Sequence, residues 1–475
     1  MQSDRCKTKL TEMVIDNGYC VGCGACAAVK SSPYKMKINE IGQYEAIIEP
    51  TKSIDNQVVN ACELVCPFGP KSENEDAIAE RLYGEHCEHD SNVGYYKASY
   101  AGYVNEGQFR QQGSSGGFGT WLLYELFRTN SIDAVIHVKS ISTDKVAKFA
   151  YAISTSSADI QGGSKSRYYP VELSEVMRIV RDNPSRYAII GLPCFIKSVR
   201  LLMASDESIA ASIKYCIGLV CGGLKSSHYA DSLAWQAGVE PKNLDKIDFR
   251  IKSELAANKY STSISGPNGE ILIPTSDLFG TDWGMGAFKY KSCDYCDDVF
   301  AETADVVLGD AWLPQYIQDG NGTNVLVVRN ETIYNMIEQA IKENRIKLDG
   351  LSLQNVIASQ DAGIRHRKKA LGYRLELEKA KNNWVPPKRD GVKNTALSSH
   401  EKLRQKLRLQ LRETSHSSFQ EALVKNDLNI YIQAMTPIYE RYKGIKGSYI
   451  ERALKFNKRV RNFIKRKLVT ITNIK

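Results

Sequence analysis

No stretch of this 475-residue chain stays apolar for long enough to cross a bilayer. Its first residues, Met1 to Lys7, hold no hydrophobic core, so no secretory signal is expected. A basic surplus is also missing from the body. Between Thr395 and Lys475 there are 18 Lys and Arg against 6 Asp and Glu, a surplus of 12 that exceeds the +9 of the whole chain. The first 394 residues are therefore slightly acidic, which removes the electrostatic footprint of nucleic-acid binding. No internal repeat stands out beyond two half-matched cysteine runs. What is present is ordinary for a globular protein of two to four domains, with 43% hydrophobic and 25% charged residues. Cysteine is the exception. Twelve cysteines without an export signal point to a reducing compartment and to metal ligation in place of disulfides. The expected location is cytoplasmic.

The most informative run is Cys20-Val-Gly-Cys23-Gly-Ala-Cys26, answered forty residues later by Cys66-Pro67. Three thiolates at two-residue gaps, with a fourth followed by proline, form the ligand set of a ferredoxin-type iron–sulfur cluster. In two-cluster ferredoxins the fourth cysteine of each run serves the other cluster. Here Lys30 stands where the first run needs its fourth thiolate, and Val59 and Asn56 stand where the second run needs its first two. One cluster loses most of its ligands. The other keeps Cys20, Cys23, Cys26 and Cys66, so one [4Fe–4S] site is expected, with Cys62 left over. A structural zinc site is the competing reading of paired cysteines, against which the third evenly spaced cysteine and the Cys-Pro ending argue.

Organisation along the chain follows the same cues. Residues 1–92 read as a small ferredoxin-like module, with short β-like runs such as Tyr44 to Ile48. From Tyr95 strand and helix signals alternate: a helix at Phe118 to Arg128, strands at Ala134 to Val138 and Tyr187 to Gly191, and a helix after Pro193. Further strands are expected at 214–220, 247–251, 271–273, 306–308 and 325–328. This alternation indicates an α/β domain over 93–382 with a substantially parallel sheet. Residues 383–394, with Pro386-Pro387 and Gly391, read as a linker, and 395–475 as a basic helical tail. The tail opens on a capping-box signature, Ser398-Ser-His-Glu401, ahead of Leu403, Leu407 and Leu411. Its last helix, near 450–468, combines an apolar stripe through Phe456, Val460 and Phe463 with Lys455, Lys458, Arg459, Arg461, Lys465 and Arg466 over much of the remainder. Such a helix suits either an anionic membrane surface or packing on a protein.

Four more cysteines stand where strands end: Cys194 in Gly191-Leu-Pro-Cys194, Cys221 in Cys221-Gly-Gly223, and the pair Cys293 and Cys296. Groups at the carboxyl ends of strands in an open α/β sheet converge on one crevice. By spacing alone this is only suggestive: buried structural thiols are the default for Cys194 and Cys221, and the lone CxxC could equally be a dithiol redox pair. Together with Gly113-Ser-Ser-Gly-Gly117, Gly163-Ser-Lys-Ser-Arg-Tyr168 and the stretch Ala301 to Trp312, they give residues 10–370 a resemblance to the beta subunits of coenzyme F420-reducing hydrogenases and related F420 dehydrogenases. That resemblance implies an α/β flavoprotein that binds FAD and a [4Fe–4S] cluster, here held by Cys194, Cys221, Cys293 and Cys296, with Cys216 as the competing ligand. Cys6, Cys62 and Cys87 are expected to be bystanders.

The resemblance also implies the cofactor contacts. Ser114, Ser115, Gly116 and Gly117 open a helix and let backbone N–H groups approach a phosphate. Ser164, Lys165, Arg167 and Tyr168 would meet the flavin, Lys165 and Arg167 as cationic donors to its diphosphate. Asp310 would hydrogen-bond cofactor or substrate, or cap a turn. No general acid or base is assigned. The expected function is an oxidoreductase passing electrons from ferredoxin or another donor through two [4Fe–4S] clusters to FAD. The final acceptor is a small organic molecule, F420-like or a sugar intermediate of bacterial polysaccharide synthesis. The tail would dock the enzyme at the inner membrane face. Alternatives are an electron-transfer subunit of a larger complex and a zinc-bearing interaction protein.

Overall fold

The structure is a computed structural model that describes residues 8–50, 52, 55–141, 147–389 and 396–446. Cys6 and the helix expected near 450–468 lie outside these. At the centre is an eight-stranded sheet. In chain order its strands are β1 (Ala98–Val104), β2 (Ala134–Ser140), β3 (Phe149–Ser154), β4 (Tyr187–Gly191), β5 (Ile213–Leu219), β6 (Val306–Asp310), β7 (Asn324–Val328) and β8 (Ile346–Gly350). Across the sheet they lie in the order β8-β1-β7-β6-β5-β4-β2-β3.

The sheet is mixed, which corrects the expectation of a largely parallel one. Only β2, β4, β5 and β6 run parallel to their neighbours in that row. β3 pairs antiparallel with β2, and β7, β1 and β8 add an antiparallel wing beyond β6. The physical reason is the connections. A parallel pair needs a crossover, usually a helix, whereas short returns such as β2 to β3 form antiparallel pairs. The strands expected at 247–251 and 271–273 do form, but outside this sheet. They build a separate three-stranded antiparallel sheet with Ser261–Gly266 between them.

Helices α1 (Phe118–Arg128), α2 (Ser174–Asp182) and α3 (Pro193–Ser205) follow strands or loops of the core. On α1, Phe118, Trp121, Leu122 and Leu126 are buried at helical spacing. Glu125, also buried, is neutralised by Arg128 and Arg345 at 2.8 and 2.9 Å. The N-terminal module is not a separate bead. The Leu173 amide donates to the Cys23 carbonyl at 2.8 Å, and the Tyr290 hydroxyl accepts from the Tyr44 amide at 2.8 Å.

Residues 383–389, expected as linker, are packed. Trp384 meets Tyr19 edge-on at 5.6 Å, and Arg389 pairs with Asp297 and Glu302 at 3.0 and 2.7 Å. Beyond them lie α4 (Ser399–Lys425) and α5 (Asn429–Lys446). The capping box at Ser398 and Glu401 forms as expected. Leu407 and Leu411 are buried while Leu403 stays exposed. These two helices dock on the body, with Ser415 Oγ accepting from the Phe288 amide at 2.8 Å. Among the described residues no helix is long and apolar enough to cross a membrane.

Candidate functional site

The first cysteine quartet lies on a loop that closes tightly on itself. Cys20, Cys23 and Cys26 span a turn whose Gly22 has φ of +70°, and a Cβ there would sit 2.5 Å from the Tyr44 carbonyl oxygen. Only glycine fits that approach. Cys26 rides a short helix, Ala25–Ala28, and Cys66 follows the helix Asn56–Leu64. Cys23 and Cys26 are buried; Cys20 and Cys66 are half-buried. Burial pushes the Cys20 thiol up to about 12. Cys26 is raised well above the usual thiol range, first by burial and then by its neighbours Cys23, Cys20 and Cys66. Lys197, at the Pro67 carbonyl, is a cation within reach of Cys66, but burial still dominates there, and thiols grouped this way suit a metal-borne positive charge. Cys62 is close by, but its Sγ is occupied by the Cys26 carbonyl at 3.4 Å and Ser32 Oγ at 3.5 Å.

The second quartet is assembled by the sheet. Cys194 opens α3 directly after β4, Cys221 follows β5, and Cys293 and Cys296 come from the turn around Lys291–Tyr295. β4 and β5 are parallel neighbours, so their carboxyl ends bring Cys194 and Cys221 to one place. All four cysteines line a single small pocket, closed on one side by Val21 and Phe68 of the N-terminal module. Arg367 reaches into it, donating to Cys296 Sγ and Cys221 Sγ at 3.5 Å each, and the Leu224 amide donates to Cys293 Sγ at 3.3 Å. Burial, then Cys221, Cys296, Cys293 and Cys23, drive the Cys194 thiol well above its usual range. Cys23 of the first quartet is thus within electrostatic reach of Cys194. Cys216 is not part of the pocket. It sits beside the buried Arg200–Asp305 pair, its amide donating to Asp305 at 2.7 Å. Cys87 is likewise remote, bonded to the Arg329 carbonyl at 3.3 Å. Among the described residues no group of three His, Cys, Asp or Glu side chains is drawn tightly enough to hold a single metal ion.

Against the second quartet lies a cavity of about 690 Å³, within the usual size range for ligand sites. Cys221, Leu192, Leu224 and Arg367 belong to both walls. Of the residues expected at a cofactor, Ser114, Ser115, Gly117, Lys165, Arg167, Tyr168 and Asp310 line this cavity. Gly116 and Ser164 do not. A Cβ on Gly116 would meet Asn324 and the Gly102 carbonyl at 2.7 Å, so it faces the sheet. Ser164 is turned to the Gln161 carbonyl at 2.7 Å.

The glycine-rich loop is latched from two sides. Ser114 Oγ accepts from the Ser166 amide at 2.8 Å. Lys252 donates to the carbonyls of Arg110 and of Ser115, the latter at 2.8 Å. Gly117, at φ of +91°, caps α1 where a Cβ would lie 2.6 Å from the Phe109 carbonyl carbon. Arg167 donates to the Ser164 carbonyl at 3.2 Å and leaves its buried Nε without a partner. Burial lowers its pKa, an effect partly offset by the Asp248 carboxylate, which is within electrostatic reach but forms its ion pair with Lys165. Lys165 is paired with Asp248 at 3.3 Å. Asp310 is taken up by Arg250 at 2.7 Å, which leaves it a partner for that guanidinium in preference to a ligand.

The sequence reading missed Arg367, Arg250, Trp283 and Arg408, all of which line the cavity. A signal for the first existed in the basic run Arg365 to Lys369, two of whose side chains, His366 and Arg367, are buried. The cofactors expected here fit the residues present. Four thiols facing one pocket, three of them buried and Cys194 half-buried, form a sulfur donor set for a cluster, and an orphaned guanidinium beside a glycine-rich helix start suits a flavin diphosphate.

Comparison with known proteins bears on the same region. Residues 99–178 and 185–353 match, in order, the N-terminal and C-terminal parts described for the coenzyme F420 hydrogenase/dehydrogenase beta subunit. The coenzyme F420-dependent sulfite reductase of Methanocaldococcus jannaschii is 23% identical over 386 residues, 78% of this chain and 52% of its own length, so the chain spans about half of that relative. A subunit of the F420H2 dehydrogenase of Methanosarcina mazei is 22% identical over 331 residues, 67% of this chain and 81% of that one. A chain of the F420-reducing [NiFe] hydrogenase complex from Methanosarcina barkeri superposes with a TM-score of 0.48 at 16% identity, covering 63% of this chain and 98% of that one. The two matched segments cover more than half the sequence, and the chain belongs to the family of coenzyme F420 hydrogenase/dehydrogenase beta subunits.

Proposed function

We propose that the protein is an iron–sulfur flavoprotein oxidoreductase that exchanges electrons between ferredoxin or a similar donor and an organic substrate. That substrate is F420-like or a sugar intermediate of polysaccharide synthesis. The observation that carries this reading is the shared wall: Cys221 and Arg367 face both the second cysteine quartet and the large cavity. When bound, two four-iron clusters would carry single electrons and FAD would couple them to two-electron chemistry. The residues for each group are at hand. Cys20, Cys23, Cys26 and Cys66 would hold one cluster, and Cys194, Cys221, Cys293 and Cys296 the other. Arg167 and the amides of the Ser114–Gly117 loop would bind the FAD diphosphate, with Lys252 and Ser166 holding that loop in place. Val21 and Phe68, which line the second quartet's pocket, would help to shield that cluster from water. Arg367 places a positive charge where negative charge gathers on the cysteine sulfurs.

Anaerobic reconstitution of the full-length chain should yield about eight irons and one FAD, as two four-iron clusters require. Arg167→Ala should lose FAD while keeping its iron. A colourless protein containing zinc and no flavin would overturn the proposal in favour of an interaction protein. A second reading, an electron-transfer subunit of a larger complex, draws on the similarity to a protein named as one component of a dehydrogenase. It requires a catalytic partner that co-purifies and an isolated chain active only toward artificial carriers.

A further inference from the structure

Arg408 is the contribution of α4 to the cavity wall. It comes from a helix that lies beyond both family segments, which end at residue 353. The helix is held firmly on either side of it. Gln405, one turn earlier, accepts from Arg374 at 2.7 Å. Arg412, one turn later, donates to Asp294 at 2.6 Å. Residues 405, 408 and 412 share one helix face, so docking that face carries Arg408 to the cavity.

The charges around Arg408 are unbalanced. Lys225, Lys289, His366 and Arg374 all lie within its electrostatic reach. Of the carboxylates nearby, Asp294 is already shared by Lys289, His366 and Arg412, and Asp282, within reach of Lys225, accepts from Tyr439 at 3.2 Å. Among the described residues the Arg408 side chain has no ion pair or hydrogen bond, and its Nε is buried without a partner. A half-buried guanidinium in this setting lacks an anion. Among the described residues, Arg167 and Arg408 are the two cavity-lining guanidiniums with neither an ion pair nor a thiol partner, and they lie in different surroundings. Arg167 lies by Phe149 and Ser164, and Arg408 lies by the turn that carries Lys289. One flavin carries one diphosphate, so the second guanidinium is left for another oxyanion.

We propose that Arg408 binds a phosphate or carboxylate group of the organic substrate, making α4 a specificity element added to the family core. The inference rests on the reading that the first guanidinium serves FAD. The test is a titration of the reconstituted, full-length holoprotein with inorganic pyrophosphate, followed by calorimetry and by the visible spectrum of the flavin. Wild type should bind pyrophosphate. Arg408→Ala should bind it about tenfold or more weakly, as loss of a charge-assisted contact implies, and Arg408→Lys should recover part of the loss. Flavin and iron contents should match wild type in both variants, which also reports that they fold. Wild-type affinity in Arg408→Ala, or no binding by wild type, overturns the proposal. So does flavin loss in Arg408→Ala, because Arg408 would then serve the phosphates of FAD. Absence of flavin from reconstituted wild type would sink the preceding function instead, leaving the pyrophosphate comparison between the two proteins intact.

Discussion

Replacing Arg367 by methionine removes the one guanidinium among the described residues that touches the second cysteine quartet, and the consequence can be worked from the geometry. Arg367 is 2% exposed and donates to two of the four sulfurs at 3.5 Å, with a further bond to the Asp298 carbonyl at 2.8 Å. A cluster held there gains one negative charge on reduction, spread over its atoms. At about 6 Å and an effective dielectric of about 20, a positive charge favours the reduced form by roughly 3 kcal/mol. For a one-electron couple, at 59 mV per tenfold change, that is on the order of 100 mV. Arg367→Met should therefore lower the midpoint potential of one cluster by about that amount and leave the other nearly unchanged. Arg367→Lys keeps the charge and loses the forked hydrogen bonds, so it should fall between the two. A redox titration followed by electron paramagnetic resonance would resolve the two centres. Unchanged potentials in a variant with full iron content would refute the electrostatic role assigned to Arg367.

Cys221→Ser should drop the reconstituted iron from about eight to about four per chain while keeping the spectrum of the Cys20/23/26/66 centre, because the quartets share no ligand; simultaneous loss of both centres would contradict that independence. Gly117→Ala places a Cβ against the Phe109 carbonyl carbon at 2.6 Å in a left-handed conformation, so a urea titration should show a loss of about 1–3 kcal/mol. Acidification should destabilise the fold between pH 6.5 and 4. His137, His228 and His416 are held near pKa 4, chiefly by burial, and the unfolded chain binds protons there that the native state refuses. Each contributes stability that is complete above about 6.5 and is lost on the order of 3 kcal/mol as pH falls to 4. His137→Gln should flatten part of that slope, and a stability profile flat across this window would count against the assignment.

Legibility in the sequence depended on whether a feature's partners lie near it in the chain. Cys194 and Cys221 were readable because each sits at the end of an apolar run, and parallel strands bring their ends together whatever the loops do. The capping box at Ser398 was readable for the same reason, as its two halves are three residues apart. The antiparallel wing β7-β1-β8 was not. Its order depends on which edge β1 takes, and nothing local to Ala98–Val104 encodes its pairing with strands more than two hundred residues later. Pro386-Pro387 reads as a linker by composition, yet Arg389 finds Asp297 and Glu302 and fixes the segment on the body. Arg367 and Arg408 show the same principle at the site itself. An arginine is a surface residue by default, and only the fold reveals that one faces two thiols and the other faces a cavity without a counter-ion. The cysteines mark the chemistry that the site can support. The arginines proposed to tune it and to select its ligand, Arg367 and Arg408, are set by tertiary placement and come from segments beyond residue 353, where the family match ends.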